Sequence, residues 1–558
     1  MSRTKQITLE CTNCKTQTPL HEFGGACPVC GETIVEARYD ISSIDPQQWV
    51  KNIKNRRSSL WRYHEVLPIY DTENVISLGE GGTPLIKSHS LAAALGLNNL
   101  YLKDERQGPT GSFKDRQATV AISALNEMGV GEVVVASTGN VAIAYSAYGA
   151  RAGIKLWAFY PQLTPNDKMK EAALYGAEVI KTTGNYDQTK ELAAQFANAK
   201  GVFLDKGIKS VAAIEAMKTM AYEIAEQLGE ELEDGKKWRA PDWFLQGVSG
   251  GMGPIGVGKG FREIHEMGLI DNMPAFGMIQ SSGCAPMVEA FERGQRVATP
   301  VENSTTIIAT LATGNPGRAY ELLYDYVEEN GGHFISASDQ EAFNAIRILA
   351  QNDGISVEPA TGVTFAGLFK LVQQGIIKPN DVVVVNCSGH TLPVETQILG
   401  EQWQQLVDLS ESRETPAVPE DDIAHVLENV DIADGRNKRI VVVEDNEAAA
   451  RLMSRILEAR DDCEVHLAHN GEAGLRLIRK LRPSMVITDL MMPDVDGFEV
   501  IQAMKSDDTL KNIPIVVVTA KELTVKEREL LGNQADMVLQ KGSFIDETFV
   551  EDLIDRLN

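Results

Sequence analysis

The chain has 558 residues, of which 53 are Lys or Arg and 78 are Asp or Glu, so its formal net charge at pH 7 is −25. A typical domain has about 100–200 residues, and this length therefore predicts several folded units. The negative charge repels phosphate backbones and anionic lipid surfaces, so we expect neither nucleic acid nor a membrane among the partners.

The chain starts with MSRTKQITLE, which lacks the apolar region of a secretory signal. No apolar run approaches the roughly 20 residues that a membrane-spanning helix needs. These two features predict a cytoplasmic protein.

Four of the seven cysteines lie near the start of the chain in the pattern C-x2-C, twelve residues, C-x2-C. Two such pairs complete the tetrahedral thiolate shell that zinc prefers, and a shell of four protein ligands has no open position for catalysis. The pattern predicts a zinc ribbon over residues 1–40, with structural Zn²⁺ held by Cys11, Cys14, Cys27 and Cys30. The alternative is a pair of disulfides, which a reducing cytosol disfavours.

Residues 41–405 alternate apolar strands with amphipathic helical stretches. Examples are EVVVAS before VAIAYSAYGARAG, KLWAFY before PNDKMKEAALYG, and later DWFLQGV and DVVVVNC. Such alternation is typical of an α/β fold with a largely parallel sheet. The sequence therefore predicts an α/β domain here.

Three of the predicted strands run into turns of small residues that open a helix, at 110–114, 137–140 and 247–253. Ligands of α/β folds bind at the carboxyl ends of strands, where backbone N–H groups and helix N-termini approach an anion. The third turn is the best phosphate cradle, because Ser249, Gly250, Gly251 and Gly253 can present successive N–H groups. An ordinary strand-to-helix turn remains the alternative for each glycine-rich loop taken alone.

Six segments of this region, in order along the chain, resemble the threonine synthase family of pyridoxal-phosphate enzymes: 60–68, 79–85, 102–116, 137–140, 358–362 and 388–392. The resemblance covers about residues 7–400 and includes the cysteine-rich start. It implies a two-lobed catalytic domain of the tryptophan synthase β type, with pyridoxal 5′-phosphate as cofactor and a small amino acid as substrate. The implied activity is a lyase that converts O-phosphohomoserine and water to threonine and phosphate.

The same resemblance assigns roles to individual residues. Lys114 forms the Schiff base with the cofactor and later acts as the base for the α-proton, Asn140 contacts the 3′-oxygen, and Ser388 faces the pyridine nitrogen. Backbone amides near Ser137 and Thr138 hold the substrate carboxylate. The cofactor phosphate is held by Ser249, Gly250, Gly251, Met252 and Gly253. A lysine attacks an aldehyde as the neutral amine, and Phe113 with the glycines offers a setting that favours this form.

The sequence departs from the family at three positions. Ala213 and Ala312 stand where the family has arginines, the first of which grips the substrate phosphate, and Gly108 stands in place of an asparagine. A phosphate loses a strong contact without its arginine, although Lys209, Lys218 or Arg318 could substitute. The alternatives are a dehydratase or β-replacement enzyme for another amino acid, and an amino-acid or vitamer sensor without turnover.

Residues 406–437 are predicted to form an acidic linker, since nine acidic residues and one arginine lie between Asp408 and Asp434. After it, residues 438–558 resemble the receiver domain of response regulators, which implies a flavodoxin-like fold. The segment 492–497 carries the resemblance together with residues at or just beyond the ends of strands: Glu444, Asp445, Asp489, Thr519 and Lys541.

Carboxylates that converge at strand ends repel one another and recruit a hard divalent cation, so we expect Mg²⁺ at Glu444, Asp445 and Asp489. The resemblance implies phosphorylation of Asp489 by a histidine kinase or phosphotransfer protein, with Thr519 and Lys541 contacting the phosphoryl group. Val538 replaces the usual aromatic residue and Gly542 the usual proline. We expect a homo-oligomer whose activity or assembly responds to the receiver.

Overall fold

The structure is a computed structural model. It describes residues 7–20, 26–162, 164–183, 186–205, 208–232, 238–390, 438–458, 463–493, 495–507, 509–519, 523, 531 and 534–540. The predicted linker and Lys541 lie outside these residues, so the predicted domain boundaries at 405 and 437 stay predictions. Within these ranges, no helix has the length and apolar character needed to cross a bilayer.

The N-terminal unit is a small antiparallel sheet in the order β2-β1-β3. Its strands are β1 (Thr8–Cys11), β2 (Gln17–Pro19) and β3 (Val35–Arg38). We call residues 7–38 the cysteine ribbon. Helix α1 (Pro46–Lys54) follows it, with Asp45 accepting hydrogen bonds from two backbone N–H groups of the first turn.

The larger sheet of the central unit has six strands in the order β12-β11-β10-β13-β5-β4, all parallel except β4. Its strands are β4 (Leu85–Lys87), β5 (Asn99–Asp104), β10 (Trp243–Gly247), β11 (Ala275–Ser281), β12 (Gly332–Ala337) and β13 (Val382–Cys387). Helices of this part are α2 (Ser90–Leu95), α7 (Ile208–Glu231), α8 (Met252–Glu266), α9 (Pro286–Glu292), α10 (Arg318–Asn330), α11 (Asp339–Asp353) and α12 (Pro359–Gln373).

The smaller sheet is parallel, in the order β8-β7-β6-β9. Its strands are β6 (Glu132–Ala136), β7 (Lys155–Tyr160), β8 (Glu178–Lys181) and β9 (Phe203–Leu204). Its helices are α3 (Lys114–Glu127), α4 (Asn140–Ala152), α5 (Asn166–Leu174) and α6 (Tyr186–Lys200).

Continuous apolar runs form the strands because both faces of each sheet are covered. In β13, Val382 and Val384 face one hydrophobic cluster, whereas Val383 and Val385 face the other. In β6, Val133 and Val134 separate in the same way. A parallel sheet buried on both faces needs such runs rather than an alternation of polar and apolar residues.

The C-terminal unit is a five-stranded parallel sheet in the order β15-β14-β16-β17-β18. Its strands are β14 (Lys438–Val443), β15 (Cys463–Ala468), β16 (Met485–Thr488), β17 (Ile515–Thr519) and β18 (Met537–Gln540). Its described helices are α13 (Glu447–Glu458), α14 (Gly471–Leu481) and α15 (Gly497–Ser506). This strand order is that of flavodoxin-like folds, as the sequence predicts.

The three predicted turns are confirmed. Strands β5 and β6 end before their turns and β10 ends at the first residue of its turn, and helices α3, α4 and α8 begin within the turns at Lys114, Asn140 and Met252. The α/β prediction and the parallel pairing are confirmed as well. These turns place three helix N-termini beside strand ends, where the candidate site lies.

Candidate functional site

One cavity of about 380 Å³ gathers the residues that the sequence predicts for the cofactor and the substrate carboxylate. Residues from the turns of both sheets line it, and the chain distance between them is large. The predicted residues in its lining are Lys114, Ser137, Thr138, Asn140, Ser249, Gly250, Gly251, Met252, Gly253 and Ser388. Their roles stay predictions, but their convergence is a property of the fold.

Lys114 is the first residue of α3 and its turn is tied to the end of β13. The Phe113 N–H donates to the Ser388 carbonyl at 2.9 Å, and the His390 N–H donates to the Gly111 carbonyl at 2.9 Å. The Lys114 Nζ lies 4.0 Å from the centroid of the Phe113 ring. These backbone bonds hold the lysine turn and Ser388 side by side.

Asp115, the next residue, is buried beneath the lysine turn. Its carboxylate accepts from the Thr110 N–H at 3.0 Å and the Thr110 hydroxyl at 2.8 Å. Burial raises the pKa of Asp115 to about 7, although these hydrogen bonds act in the opposite direction. A Cβ on Gly108 would lie 2.4 Å from this carboxylate, so the turn leaves no room for a side chain at position 108.

The glycine loop before α8 suits a phosphate group. Gly251 has a φ of +81°, which favours glycine, and a Cβ on Gly253 would lie 2.5 Å from the Gln246 side chain. The Ser249 hydroxyl lies 2.5 Å from the Thr313 hydroxyl across the cavity edge. Backbone N–H groups of such a loop and the N-terminus of α8 attract an anion.

Glu358 is a site residue that the sequence reasoning missed, although the segment 358–362 carried part of the resemblance. Its carboxylate accepts from the Asn140 amide at 2.8 Å and from the Ser388 hydroxyl at 2.6 Å. The Thr361 hydroxyl lies 2.9 Å from the Ser388 hydroxyl. Glu358 therefore links the two residues to which the resemblance assigns the 3′-oxygen and the pyridine nitrogen of the cofactor.

Lys168, at the start of α5, is a second residue that the sequence reasoning missed. Its ammonium donates to the Asn140 side-chain oxygen at 2.7 Å. Because the amide oxygen accepts from Lys168, the amide NH₂ points toward Glu358. Burial lowers the pKa of Lys168, while the carboxylates of Glu358 and Glu171 favour its charged form.

The residues considered for binding the substrate phosphate differ in whether they line the cavity. Ala213, which stands where the resemblance implies an arginine, lines the cavity. Lys218 is a wrong candidate, because it is fully buried in ion pairs with Glu215 at 2.7 Å and Glu263 at 3.2 Å. Packing of α7 against α8 rather than substrate contact explains this lysine.

Arg318 and Lys209 are the two other cations that the sequence analysis offers for the substrate phosphate. Arg318 pairs with Glu321 and donates to the Thr12 carbonyl at 3.4 Å, and the side chain of Lys209 lies outside the described residues. Lys190 of α6, which the sequence reasoning missed, lines the cavity with Tyr186. No sequence signal pointed to Lys190, since only the packing of α6 brings it there.

The four clustered cysteines converge, with Sγ atoms that all lie within 4.8 Å of one another. The Cys11–Cys30 and Cys14–Cys27 sulfur distances are both 3.5 Å, and all four are free thiols. Tetrahedral zinc with Zn–S bonds of about 2.3 Å requires S···S distances of about 3.8 Å. The donor set and its spacing therefore fit zinc.

In the C-terminal unit, oxygens of Glu444, Asp445 and Asp489 also lie within 4.8 Å of one another. Glu444 and Asp489 are buried, and the Asp489 carboxylate accepts from the Leu490 N–H at 2.6 Å. A Cβ on Gly497 would lie 2.1 Å from the Asp489 carbonyl, so the turn beyond this strand needs glycine. Three hard oxygen donors at this spacing fit Mg²⁺.

Thr519 ends β17 and is buried, as predicted, whereas Lys541 lies outside the described residues. Val538 lies on β18 with 38% of its surface exposed. The strand ends therefore bring the acidic residues together. Val538 is partly exposed to solvent.

Comparisons with known proteins agree with this architecture. Residues 76–389 match the family described as pyridoxal-phosphate dependent enzyme, and residues 440–551 match the response regulator receiver domain. The chain thus belongs to the pyridoxal-phosphate-dependent enzyme family and carries a receiver domain.

Relatives define the family more narrowly. The chain is 36% identical over 383 residues to the threonine synthase of Methanocaldococcus jannaschii, covering 68% of this chain and 92% of the relative. It is 34% identical over 385 residues to the threonine synthase of Methanosarcina acetivorans, covering 69% and 91%. The chain therefore belongs to the threonine synthase family.

A solved structure supports the fold. The holo diaminopropionate ammonia lyase of Escherichia coli is 18% identical, has a TM-score of 0.51, and matches 71% of this chain and 97% of its own. At this identity the likeness concerns the fold alone.

Proposed function

We propose that this protein is a threonine synthase, which converts O-phosphohomoserine and water to threonine and phosphate. The observation that carries the proposal is the single cavity shared by Lys114, Asn140, the 249–253 loop and Ser388. Relatives named threonine synthase that align along most of their own length support it.

The residues fit pyridoxal phosphate, which when bound supplies an electron sink for charge at the substrate α-carbon. In this proposal the glycine loop would bind the phosphate group, Asn140 and Ser388 would hold the ring, and Lys114 would hold the cofactor through its amine. Lys114 Nζ also takes the proton from the substrate α-carbon, which requires a neutral amine.

Glu358 and Lys168 act as positioning residues in this proposal. Lys168 fixes the orientation of the Asn140 amide, and Glu358 accepts from both Asn140 and Ser388. Such second contacts hold a site within the narrow geometry that catalysis requires. The hydroxyl of Ser388 replaces the carboxylate that would keep a pyridine nitrogen protonated.

The substrate is bound by its two charged ends. The N-terminus of α4 and backbone amides near Ser137 and Thr138 suit the carboxylate. The Ser137 hydroxyl accepts from the N–H groups of Gly139 and Ala142 at 3.1 and 3.2 Å, which fixes this turn. Lys190 is the cation that we assign to the phosphate end, in the place of the missing arginine.

A substrate screen tests the proposal. Purified protein reconstituted with cofactor is expected to release phosphate from O-phosphohomoserine and to form threonine. Serine, threonine, O-acetylserine and O-phosphoserine are the comparison substrates. Turnover of one of these alone would replace the proposal with a dehydratase or β-replacement enzyme, which the alanine at position 213 favours. A change of cofactor absorbance without turnover on any amino acid would indicate a sensor.

We further propose that Cys11, Cys14, Cys27 and Cys30 bind one structural Zn²⁺. The convergence of the four sulfurs supports this assignment. Metal analysis of the purified protein is expected to give one equivalent per chain, and Cys11→Ser and Cys27→Ser are expected to lose it. Full zinc content in both variants would contradict the ligand set.

For the receiver we propose phosphorylation of Asp489 by a histidine kinase or phosphotransfer protein, with Mg²⁺ held by Glu444, Asp445 and Asp489. Phosphorylation adds charge and acceptor oxygens, which reorder nearby loops. The receiver is proposed to modulate turnover or assembly of a homo-oligomer by about 1–3 kcal/mol, as is typical of allosteric coupling. Equal kinetics and equal oligomeric state with and without beryllofluoride would contradict this regulation.

A further inference from the structure

The cysteine ribbon reaches the catalytic cavity. Thr33 and Ile34, which follow the second cysteine pair, line the same cavity as Lys114 and Ala213. Ile34 is 9% exposed and belongs to the same hydrophobic cluster as Phe113. The ribbon therefore contributes a wall to the site.

Residues within or next to the cysteine pairs hold this wall. The Glu32 carboxylate accepts from the Thr33 N–H at 2.8 Å and from the Ile34 N–H at 3.0 Å. The Ile34 carbonyl accepts from the Thr12 hydroxyl at 2.8 Å, and Thr12 lies between the first two cysteines. The Glu32 carboxylate thus fixes the backbone N–H groups of residues 33 and 34, and the Thr12 hydroxyl fixes the carbonyl of residue 34.

Buried ions clamp the ribbon to the helices behind the cavity. The Ala37 N–H donates to the Glu215 carboxylate at 3.2 Å, and the Tyr39 hydroxyl donates to it at 2.9 Å. Lys259 pairs with Glu215 and donates to the Ala37 carbonyl. Because α7 carries Glu215 and Ala213, and α8 carries Lys259 and begins at the glycine loop, the clamp connects the ribbon to two walls of the cavity.

The ribbon also packs next to the position of the missing arginine. Val211 lies two residues before Ala213 on α7, and it belongs to one apolar cluster with Leu9 and Val35 of the ribbon. Arg318 at the start of α10 donates to the Thr12 carbonyl, and its neighbours Pro316 and Ala319 line the cavity. The ribbon thus contacts α7 and α10, two helices that carry lining residues.

We propose that Ile34 of the ribbon is a specificity-determining residue that limits the length of the substrate side chain in the cavity. This inference rests on the proposed function for the identity of the substrate. An alanine at position 213 offers no bulk, so the branched side chain of Ile34 supplies an apolar boundary from a different part of the chain. Thr33, beside it, also lines the cavity.

The test uses the full-length holoenzyme and a size series at position 34. Ile34→Ala is expected to lower kcat/KM for O-phosphohomoserine about tenfold, mainly through KM, since apolar contacts in a pocket discriminate on this scale. The same variant should improve relative kcat/KM for the homologue that is one methylene longer. Ile34→Leu conserves volume and should change both values less than about threefold.

Val29→Ala is the matched control, because Val29 belongs to the same ribbon but is 70% exposed. It should leave kcat/KM unchanged for both substrates. Cofactor stoichiometry and visible absorbance must be equal in all variants, which separates a cavity effect from misfolding. If Ile34→Ala does not bind cofactor, Ile34→Val replaces it.

The two hypotheses fail in different ways. Absence of turnover of O-phosphohomoserine by the wild type contradicts the proposed function alone. In that case the size series is measured as the Kd of serine, threonine and homoserine, read from the absorbance of the bound cofactor. An unchanged ratio between short and long amino acids across the series at position 34 would overturn the inference about Ile34.

Discussion

The catalytic cavity is lined from the strand ends of two sheets and the receiver site from those of a third, yet the two sites suit ligands of opposite charge. Each lies at the carboxyl ends of parallel strands, next to helices that begin there. The cavity presents glycines, hydroxyls, Lys114, Lys190 and one carboxylate, that of Glu358, whereas the receiver presents three carboxylates within 4.8 Å of one another. Topology therefore decides where a ligand binds, and side chains decide which charge it carries.

The backbone contributes the same positive potential in both places, since helix N-termini carry exposed N–H groups. In the cavity nothing cancels it at the glycine loop, because residues 250, 251 and 253 have no side chains. In the receiver, Glu444 and Asp445 follow β14 directly and reverse the local charge. Four predictions separate the chemistry of the two sites, and they follow in order of expected size.

The largest effect is expected at Lys114. Lys114→Ala removes the amine that we propose binds the cofactor and moves the α-proton, so turnover should fall by about three orders of magnitude or more. Lys170→Ala is the control, because that lysine is 77% exposed on α5. Borohydride reduction with peptide mapping is the second measurement, and a pyridoxyl group on another lysine would contradict the assignment.

The second prediction concerns phosphorylation of the receiver. Asp489→Asn removes the acceptor oxygen and one proposed Mg²⁺ ligand, so incorporation of labelled phosphoryl from a small phosphodonor should fall at least about a hundredfold. Basal turnover should stay intact, which shows that the two sites are chemically separate. Glu472→Gln, at a residue 75% exposed, should keep full labelling. Undiminished labelling of Asp489→Asn would place the phosphorylation elsewhere.

The third prediction uses pH. Because burial raises the pKa of Asp115 to about 7, its ionisation costs folding free energy. This cost is absent below the unfolded pKa of about 4 and complete above the folded pKa, and a shift of this size corresponds to a few kcal/mol. Asp115→Asn should therefore gain stability relative to wild type between pH 4 and pH 8, measured by urea unfolding.

Asp167→Asn serves as the control for this pH effect, since Asp167 is 63% exposed. Its stability difference from wild type should be nearly independent of pH. A flat difference for Asp115→Asn as well would show that its carboxylate ionises in the fold without cost.

The smallest effect is expected at Lys190. Lys190→Gln removes the charge-assisted contact that we propose with the substrate phosphate, worth about 1.5–3 kcal/mol, and should raise KM for O-phosphohomoserine about tenfold or more. The KM for an uncharged amino acid should not change, because only the phosphate end is affected. An equal rise for both substrates would assign Lys190 a structural role instead.

Some features were predictable because they are local. The lysine in its glycine-rich turn, the glycine loop before α8 and the acidic pair after β14 each lie within a few residues of a strand end. A parallel sheet brings all such ends to one edge, so their convergence follows from the strand pattern. The four cysteines were predictable for the same reason, since each pair lies on one tight turn.

Other features depend on packing between distant segments. Glu358 contacts Asn140 across 218 residues of chain, and Lys168 orients the same amide from a different helix. Lys218 shows the opposite case, since its charge suggested a phosphate ligand and its burial with Glu215 and Glu263 excludes that role. The sequence by itself determined which turns form the site, because turn geometry and strand order are local constraints. Only the tertiary structure decided which charges face the cavity and that Ile34 of the ribbon closes one wall, because those contacts arise from helix packing and ion pairing between segments far apart in the chain.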